Sequence, residues 1–196
     1  MNLANKITIA RLCLVPVFML FATFPIGFAD VDKQNIGTLG KYIATAIFIL
    51  AAATDKLDGY IARKYKQITK LGIFLDPLAD KLLIIAALIC LVQMGKIDTW
   101  IALVIVGREL IVTLFRLSAV QNGIVLAADG IGKIKMVIQV IAVICSLINN
   151  FPFSLFTTIR VDNISMYLAA IITIYSGANY IIKNLSIFKE RKEIQP

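Results

Sequence analysis

The sequence predicts an all-α, polytopic membrane protein that forms one domain over residues 1–196 and has six transmembrane helices. The first observation is composition: 59% of the residues are hydrophobic and the mean hydropathy is +0.85, whereas soluble domains are roughly 45–50% apolar. The second is that these residues form long runs, close to the ~20 residues that a spanning helix needs. The third is that the connecting segments are too short for a second domain. The runs cover residues 7–28, 40–62, 71–94, 98–120, 133–150 and 162–183.

The first run could be interpreted as a secretory signal peptide. Its apolar part exceeds the usual ~7–15 residues, and no small-x-small cleavage site precedes Pro25. We therefore expect a spanning helix. A short basic segment between residues 64 and 71 joins the second and third runs and predicts a helical hairpin. For the remaining runs, length alone favours transmembrane helices.

The charge distribution predicts that both termini lie in the cytoplasm. In this orientation the outer connections hold four of the 20 basic residues, and the inner side holds the other 16, in agreement with the positive-inside rule. We therefore expect a multi-pass protein of the cell membrane, whose basic side faces anionic lipid headgroups and not nucleic acid. The outer basic residues are Lys33, Lys41, Lys96 and Arg160.

The chain contains no histidine, which excludes histidine-based phosphodiesterase chemistry, histidine ligation of haem and histidine–zinc sites. Its three cysteines stand singly in separate apolar runs, without the spacing of metal ligands or of a disulfide framework. We expect them to be small buried hydrophobic residues. They are Cys13, Cys90 and Cys145.

Four aspartates interrupt the second and third runs, although acidic side chains within spanning segments are energetically unfavourable and usually functional. Asp55 and Asp58 are three residues apart and share one helical face. Asp76 and Asp80 are four residues apart and share another. The predicted hairpin brings the two faces together near the cytoplasmic surface. Because like charges at one depth repel each other, the pattern predicts a compensating divalent metal.

All-oxygen ligation favours Mg²⁺, Mn²⁺ or Ca²⁺ over zinc, and four carboxylates can hold two such ions. The alternative is a buried ion-pair network with Lys56, Arg63 and Lys81. Small residues beside the aspartates leave space in which a ligand can approach the backbone, although helix packing through small residues is an alternative reason for them. They are Gly59, Ala62 and Gly72.

The stretch from Asp55 to Asp80 reads Asp-x2-Asp-Gly-x2-Ala-Arg-x8-Gly-x3-Asp-x3-Asp. It resembles the signature of the CDP-alcohol phosphotransferase family at every fixed position. Shorter motifs over residues 2 to about 140 are similar to the bacterial phosphatidylglycerophosphate synthases within that family, and Asp129 and Met136 depart from their pattern. These motifs are Asn5, Thr8, Arg11 and Pro16, then Gly107-Arg108-Glu109, Arg116 and Gly123, then Gly132-Lys133-Ile134-Lys135 with Gln139.

The resemblance implies transfer of a phosphatidyl group from CDP-diacylglycerol to glycerol 3-phosphate, with CMP as the second product and Mg²⁺ or Mn²⁺ as the metal. It also implies a homodimer and a role for Asp80 as the base that activates the acceptor hydroxyl. Asn5 and Thr8 are candidates for nucleotide contact, with helix capping as the alternative. The implied metal ligands are Asp55, Asp58, Asp76 and Asp80. The remaining implied nucleotide-binding residues are Thr54, Asp58, Gly59, Ala62, Arg63 and Gly72.

Four cations form a second predicted site. Arg108 and Arg116 are eight residues apart on one face of the fourth helix, and Lys133 and Lys135 begin the fifth. Their connection is cytoplasmic, so they gather on the side of the aspartates and are suited to binding the phosphate of an acceptor. The alternatives are lipid headgroup attraction for the lysines and a local ion pair between Arg108 and Glu109.

Two other functions remain open. A membrane cation transporter would also hold carboxylates, but it would place them near the midplane, often between internal repeats that this chain lacks. Within the family, inositol phosphate would suit the same cations as glycerol 3-phosphate, whereas serine has no phosphate for them to bind.

Overall fold

In a computed structural model, the chain is described at residues 3–23, 33–64, 70–121, 130–151 and 153–194. Side chains are described at residues 6–23, 39–54, 78–120, 130–151, 153 and 155–184. These parts are helical apart from turns, which confirms the all-α prediction for them. The helices are α1 Leu3–Thr23, α2 Lys33–Lys64, α3 Lys70–Gln93, α4 Thr99–Gln121, α5 Gly130–Leu147 and α6 Val161–Ile194, with a one-turn 3₁₀ helix at Phe153–Leu155.

Each predicted apolar run overlaps one of these helices, but residues 24–28 of the first run lie outside the described residues and residues 148–150 of the fifth form the turn after α5. Three segments among the described residues are long and apolar enough to cross a membrane, namely Lys6–Thr23, Gly130–Leu147 and Val161–Asn184. The helix α4 is as long, but charged side chains interrupt its apolar surface at Arg108, Glu109 and Arg116. The chain is therefore a helical membrane protein, and the full set of six spans stays a prediction.

Helix packing divides the bundle into two groups. The helix α1 packs against α2 and α3, whereas α6 packs against α4 and α5. The two groups meet where α2 and α3 contact α5, and where α3 contacts α4. Core side chains from both groups are fully buried, among them Phe18, Phe48, Leu88 and Ile105. Large apolar side chains also cover the outer surface, as the 65% exposed fraction of Leu114 illustrates; such a surface suits contact with lipid.

Some local predictions need correction. Thr8 lies in the second turn of α1, which begins at Leu3, so the capping alternative for Thr8 is wrong. Asn5 also lies inside α1, although its side chain is outside the described residues. Cys90 and Cys145 are buried as predicted, but Cys13 is exposed on the surface of α1.

The turn between α5 and α6 lies at the end of the bundle away from Asp80. Asn149 and Asn150 adopt positive φ values of 61° and 63°, a conformation that asparagine tolerates better than most residues. The Asn150 amide donates to the Ile159 carbonyl oxygen at 3.0 Å, and its Oδ1 accepts from the Asp162 N–H at 3.3 Å. This side chain therefore caps the start of α6.

Candidate active site

A cavity of about 240 Å³ lies between α3, α4, α5 and α6. Among the described residues that line it, five side chains are cationic and two are acidic. The acidic side chains are Asp80 and Glu109. The cationic side chains are Lys81, Arg108, Arg116, Lys133 and Lys135. The four cations that the sequence predicts for phosphate binding are thus brought together, and Asp80 stands in the same wall. Such a charge excess in a concave site attracts anions.

At the floor of this cavity, one carboxylate is shared between two cations. Glu109 Oε1 lies 3.3 Å from Arg108 Nη1 and also pairs with the Lys135 ammonium group. The three side chains are largely buried, with exposed fractions of 19%, 14% and 7% respectively. The local Arg108–Glu109 pair that the sequence left open is therefore present. One carboxylate is thus shared by two cationic side chains, and both of these line the cavity.

Side chains of α6 contact both arginines that line the cavity. The Arg108 Nη2 donates to Ser176 Oγ at 2.8 Å, and the Arg116 Nε lies 3.4 Å from the Tyr180 hydroxyl oxygen. The Arg116 guanidinium also stands 5.5 Å from the centroid of the Tyr180 ring, within the range of a cation–π interaction. These contacts orient each guanidinium and leave further N–H groups to donate to a ligand.

Two donor atoms in the cavity wall have no hydrogen-bond partner among the described residues. They are the amide nitrogen of Gln139, whose side chain is only 2% exposed, and the Nε of Arg108. A buried donor without a partner is unfavourable, and such atoms in native proteins are usually satisfied by water or by a ligand. Gln139 lines the cavity, although its amide nitrogen is itself buried.

Some residues of this site are not predicted from the sequence. Ser176 and Tyr180 are ordinary residues of a membrane helix, and no spacing rule connects them with Arg108 and Arg116. Lys81 was considered as a counter-ion for the aspartates, but it lines the cavity and donates to the Thr113 hydroxyl on α4.

On α1, Thr8 and Arg11 are buried, with exposed fractions of 0% and 1%. The Arg11 Nε lies 3.5 Å from Thr54 Oγ1 on α2, and Thr54 donates to the Ala51 carbonyl oxygen at 2.8 Å. These contacts join α1 to α2 beside the aspartate motif. The nucleotide-binding role of Thr8 and Thr54 stays a prediction.

Most of the predicted metal and nucleotide site falls outside the described side chains. The backbone of α2 continues to Lys64 and that of α3 begins at Lys70, so the motif lies on two helices as its spacing assumed. Within the described part of the chain no cluster of three or more metal-ligating side chains occurs, and Asp80 is the predicted ligand that can be placed. The side chains of Asn5, Asp55, Asp58, Gly59, Ala62, Arg63, Gly72 and Asp76 lie outside the described residues.

Comparisons with known proteins match nearly the whole chain. The profile of the CDP-alcohol phosphatidyltransferase family matches residues 1–175. The chain is 43% identical to the CDP-diacylglycerol–glycerol-3-phosphate 3-phosphatidyltransferase of Bacillus subtilis, over 96% of this chain and 97% of that protein. It is 37% identical to a probable phosphatidylglycerophosphate synthase of Mycobacterium tuberculosis, over 94% and 82% of the two chains. It is 34% identical to a Haemophilus influenzae protein with the same name as the Bacillus one, over 92% and 91%.

Proposed function

The chain belongs to the CDP-alcohol phosphatidyltransferase family, and we propose that it transfers the phosphatidyl group of CDP-diacylglycerol to glycerol 3-phosphate. The products are phosphatidylglycerophosphate and CMP, as in phospholipid biosynthesis. Similarity to proteins with this activity in their names, at up to 43% identity over 96% of the chain, supports the reaction. The single structural observation that supports the phosphorylated acceptor is the cavity that brings together Lys81, Arg108, Arg116, Lys133 and Lys135 among its described lining residues.

The acceptor phosphate binds between the two groups of cations. The Arg108 and Arg116 guanidinium groups approach from α4, while Lys133 and Lys135 approach from the start of α5. Arginine suits this task because its planar fork donates two parallel hydrogen bonds to phosphate oxygens, and lysine adds a compact point charge. An acceptor without phosphate, such as serine or free glycerol, would leave this positive charge uncompensated.

The donor diphosphate binds beside Asp80, at the helical hairpin of α2 and α3. Oxygen ligands of this type are those that Mg²⁺ and Mn²⁺ prefer, and Asp80 supplies one from the cavity wall. When bound, two such ions would supply positive charge that stabilises the leaving CMP. The ligands in this proposal are Asp55, Asp58, Asp76 and Asp80, and the nucleotide contacts are Asn5, Thr8, Thr54, Asp58, Gly59, Ala62, Arg63 and Gly72.

In the transfer step, the acceptor hydroxyl oxygen attacks the phosphorus that carries the diacylglycerol group. A new phosphorus–oxygen bond forms, the bond from that phosphorus to the CMP oxygen breaks, and the hydroxyl proton passes to the Asp80 carboxylate. An aspartate is a weak base, so most of the rate gain comes from holding the acceptor phosphate on Arg108 and Arg116 in line with the donor. The presence of Asp80, Arg108 and Arg116 around the same cavity supports this arrangement.

The proposed topology has six membrane spans, with both termini and the active site on the cytoplasmic side of the cell membrane. It is supported by the inner position of 16 of the 20 basic residues. The cavity is lined by residues 80–88 of α3, 105–116 of α4 and 132–139 of α5, so it extends from the middle of α3 and α4 toward the start of α5, which is a cytoplasmic end in this topology. A homodimer is proposed from the family resemblance.

An acceptor panel tests the reaction. Purified protein in detergent is incubated with CDP-diacylglycerol and Mg²⁺ or Mn²⁺, and CMP release is measured with glycerol 3-phosphate, glycerol, inositol phosphate or serine. We expect release with glycerol 3-phosphate, loss of release with EDTA, and recovery when excess metal is added.

Release with inositol phosphate instead would contradict the assigned acceptor while keeping the transfer chemistry. No release with any acceptor, from folded protein, would contradict phosphatidyl transfer and favour cation transport.

A further inference from the structure

One glycine of α6 lies against the side chain of Arg108. A Cβ atom added at Gly177 would stand 2.8 Å from Arg108 Cγ, 3.2 Å from its Nε and 3.5 Å from its Cδ. Real Cβ atoms do not approach other atoms as closely as the first of these distances. The arginine stem therefore lies across α6 only because residue 177 has no side chain, and the guanidinium then reaches Ser176 Oγ at 2.8 Å.

This close approach is specific to one position. Among the glycines in the described residues, Gly107, Gly130 and Gly132 have no atom within 4 Å of an added Cβ, and Gly40 approaches a backbone oxygen. Gly177 is the one in that set whose missing side chain makes room for a charged side chain of the cavity. Helix formation does not explain a glycine at position 177, because alanine is the better helix former.

The face of α6 that supports the arginines lies beyond the family profile, although it falls within the 96% of the chain that aligns with the Bacillus relative. The family profile ends at residue 175, whereas Ser176, Gly177 and Tyr180 follow it directly. Membership of the family therefore does not by itself assign a role to these residues. They contact the arginines of α4, and α6 packs against α4 and α5.

We propose that Gly177 and Ser176 are positioning residues that set where the Arg108 guanidinium stands in the cavity, and thereby the affinity for the acceptor phosphate. An added Cβ at residue 177 forces the arginine stem into another rotamer or moves α6 away from α4. The Arg108 Nε is buried, so relief of the contact has to move the guanidinium within the cavity that it lines. Glu109 can still pair with the displaced arginine, so the fold is retained while the phosphate site is distorted.

A matched pair of variants tests this role. The KM measurements rest on the proposed function, whereas the Kd for inorganic phosphate does not. Gly177→Ala is compared with Gly107→Ala, which adds the same methyl group to the residue before Arg108, where it meets open space. For each full-length protein in detergent, the Kd for inorganic phosphate is measured by calorimetry, together with KM for glycerol 3-phosphate and for CDP-diacylglycerol. We expect Gly177→Ala to raise the phosphate Kd and the acceptor KM about 10- to 100-fold, because a displacement of ~1 Å has effects of this size. The donor KM should stay within about twofold, and Gly107→Ala should resemble the wild type.

Ser176→Ala provides a second test, since it removes the hydrogen bond to Arg108 without adding volume. We expect the phosphate Kd to rise about 3- to 10-fold. The inference is wrong if folded Gly177→Ala binds phosphate as tightly as the wild type, or if the donor KM rises as much as the acceptor KM. If Gly177→Ala does not fold, an unchanged Kd in Ser176→Ala overturns the inference. Absence of CMP release from the wild type would contradict the proposed reaction alone, because the phosphate Kd still decides the role of Gly177.

Discussion

Polar clusters occupy both ends of the helical bundle, and they differ in how their charges are balanced. The distal cluster, at the end away from Asp80, surrounds a cavity of about 140 Å³. Its acids and cations have partners within the protein: Arg160 pairs with Asp162 at 3.0 Å, and the Tyr167 hydroxyl donates to Asp98 at 3.1 Å. The distal cluster consists of Lys96, Asp98, Arg160, Asp162 and Tyr167.

The cavity near Asp80, called the inner cavity below, differs from the distal cluster in this respect. Five cations face two acids there, and the buried Gln139 amide nitrogen has no partner among the described residues. A polar cluster that only stabilises a fold gains from pairing every group, because unpaired buried donors and charges are unfavourable. This difference supports a structural role for the distal cluster and the proposed ligand binding in the inner cavity.

Local electrostatics at the distal end fit a structural role. Burial lowers the pKa of Lys96, and the Lys41 and Arg160 cations nearby lower it further. The hydrogen bond to Asp162 raises the pKa of Arg160. Lys96 also donates to the Asn149 side chain, so its ammonium group ties the turn after α3 to the turn after α5.

Asp80→Asn should give the largest effect, because it removes the proposed base from the inner cavity. We expect kcat to fall about 10²- to 10⁴-fold, the range for loss of general base catalysis, while CMP binding changes little. Asp98→Asn in the distal cluster is the matched control, since it makes the same exchange at a carboxylate bonded to Tyr167. If Asp80→Asn turns over at the wild-type rate, Asp80 is not the base. Equal losses of kcat in both variants would contradict the contrast between the two ends.

Asp162→Asn should have an intermediate effect, on stability and not on activity. The Asp162 side chain is 2% exposed and pairs with Arg160, which is 59% exposed. Loss of this charge-assisted contact should lower the free energy of unfolding by about 1–2 kcal/mol, while Arg160 stays hydrated. Thermal unfolding in detergent should show a lower Tm, with unchanged kcat/KM at room temperature. A weaker affinity for glycerol 3-phosphate at unchanged Tm would place ligand binding at the distal end.

Gln139→Leu should give the smallest effect. It should weaken the binding of glycerol 3-phosphate without lowering the stability of the fold. The side chain is buried and its amide nitrogen has no partner in the described part of the chain, so an apolar replacement should leave Tm unchanged or higher. Loss of a hydrogen bond to the bound acceptor should raise KM for glycerol 3-phosphate about 3- to 10-fold. A lower Tm with unchanged KM would mean that Gln139 serves the fold.

Helix number and order could be predicted because the length of apolar runs reports on spanning helices. The predicted runs 71–94 and 98–120 differ from α3 and α4 by one residue at each end. The helix α2 begins at Lys33, ahead of the predicted residue 40, and α6 continues to Ile194, beyond the predicted residue 183. Hydropathy marks the apolar part of a helix, whereas the backbone continues through polar residues on both sides.

The meeting of Asp80 with the four predicted cations followed from helical spacing and the short connections between helices. The supporting residues did not, because an apolar pattern does not tell which helix packs against α4. Ser176, Gly177 and Tyr180 have the residue types of ordinary membrane helix packing. Only their contacts with Arg108 and Arg116 distinguish them.

Calorimetric titration of glycerol 3-phosphate into the wild type, Arg116→Gln and Arg160→Gln tests the contrast between the two ends most directly. Both arginines are exposed and each contacts a side chain of its own end, Tyr180 or Asp162. We expect Arg116→Gln to bind about 10- to 100-fold more weakly, because hydrogen bonds to charged groups contribute energies of this size, and Arg160→Gln to bind like the wild type. Wild-type affinity in Arg116→Gln, or an equal loss in Arg160→Gln, would contradict the assignment of acceptor binding to the inner cavity.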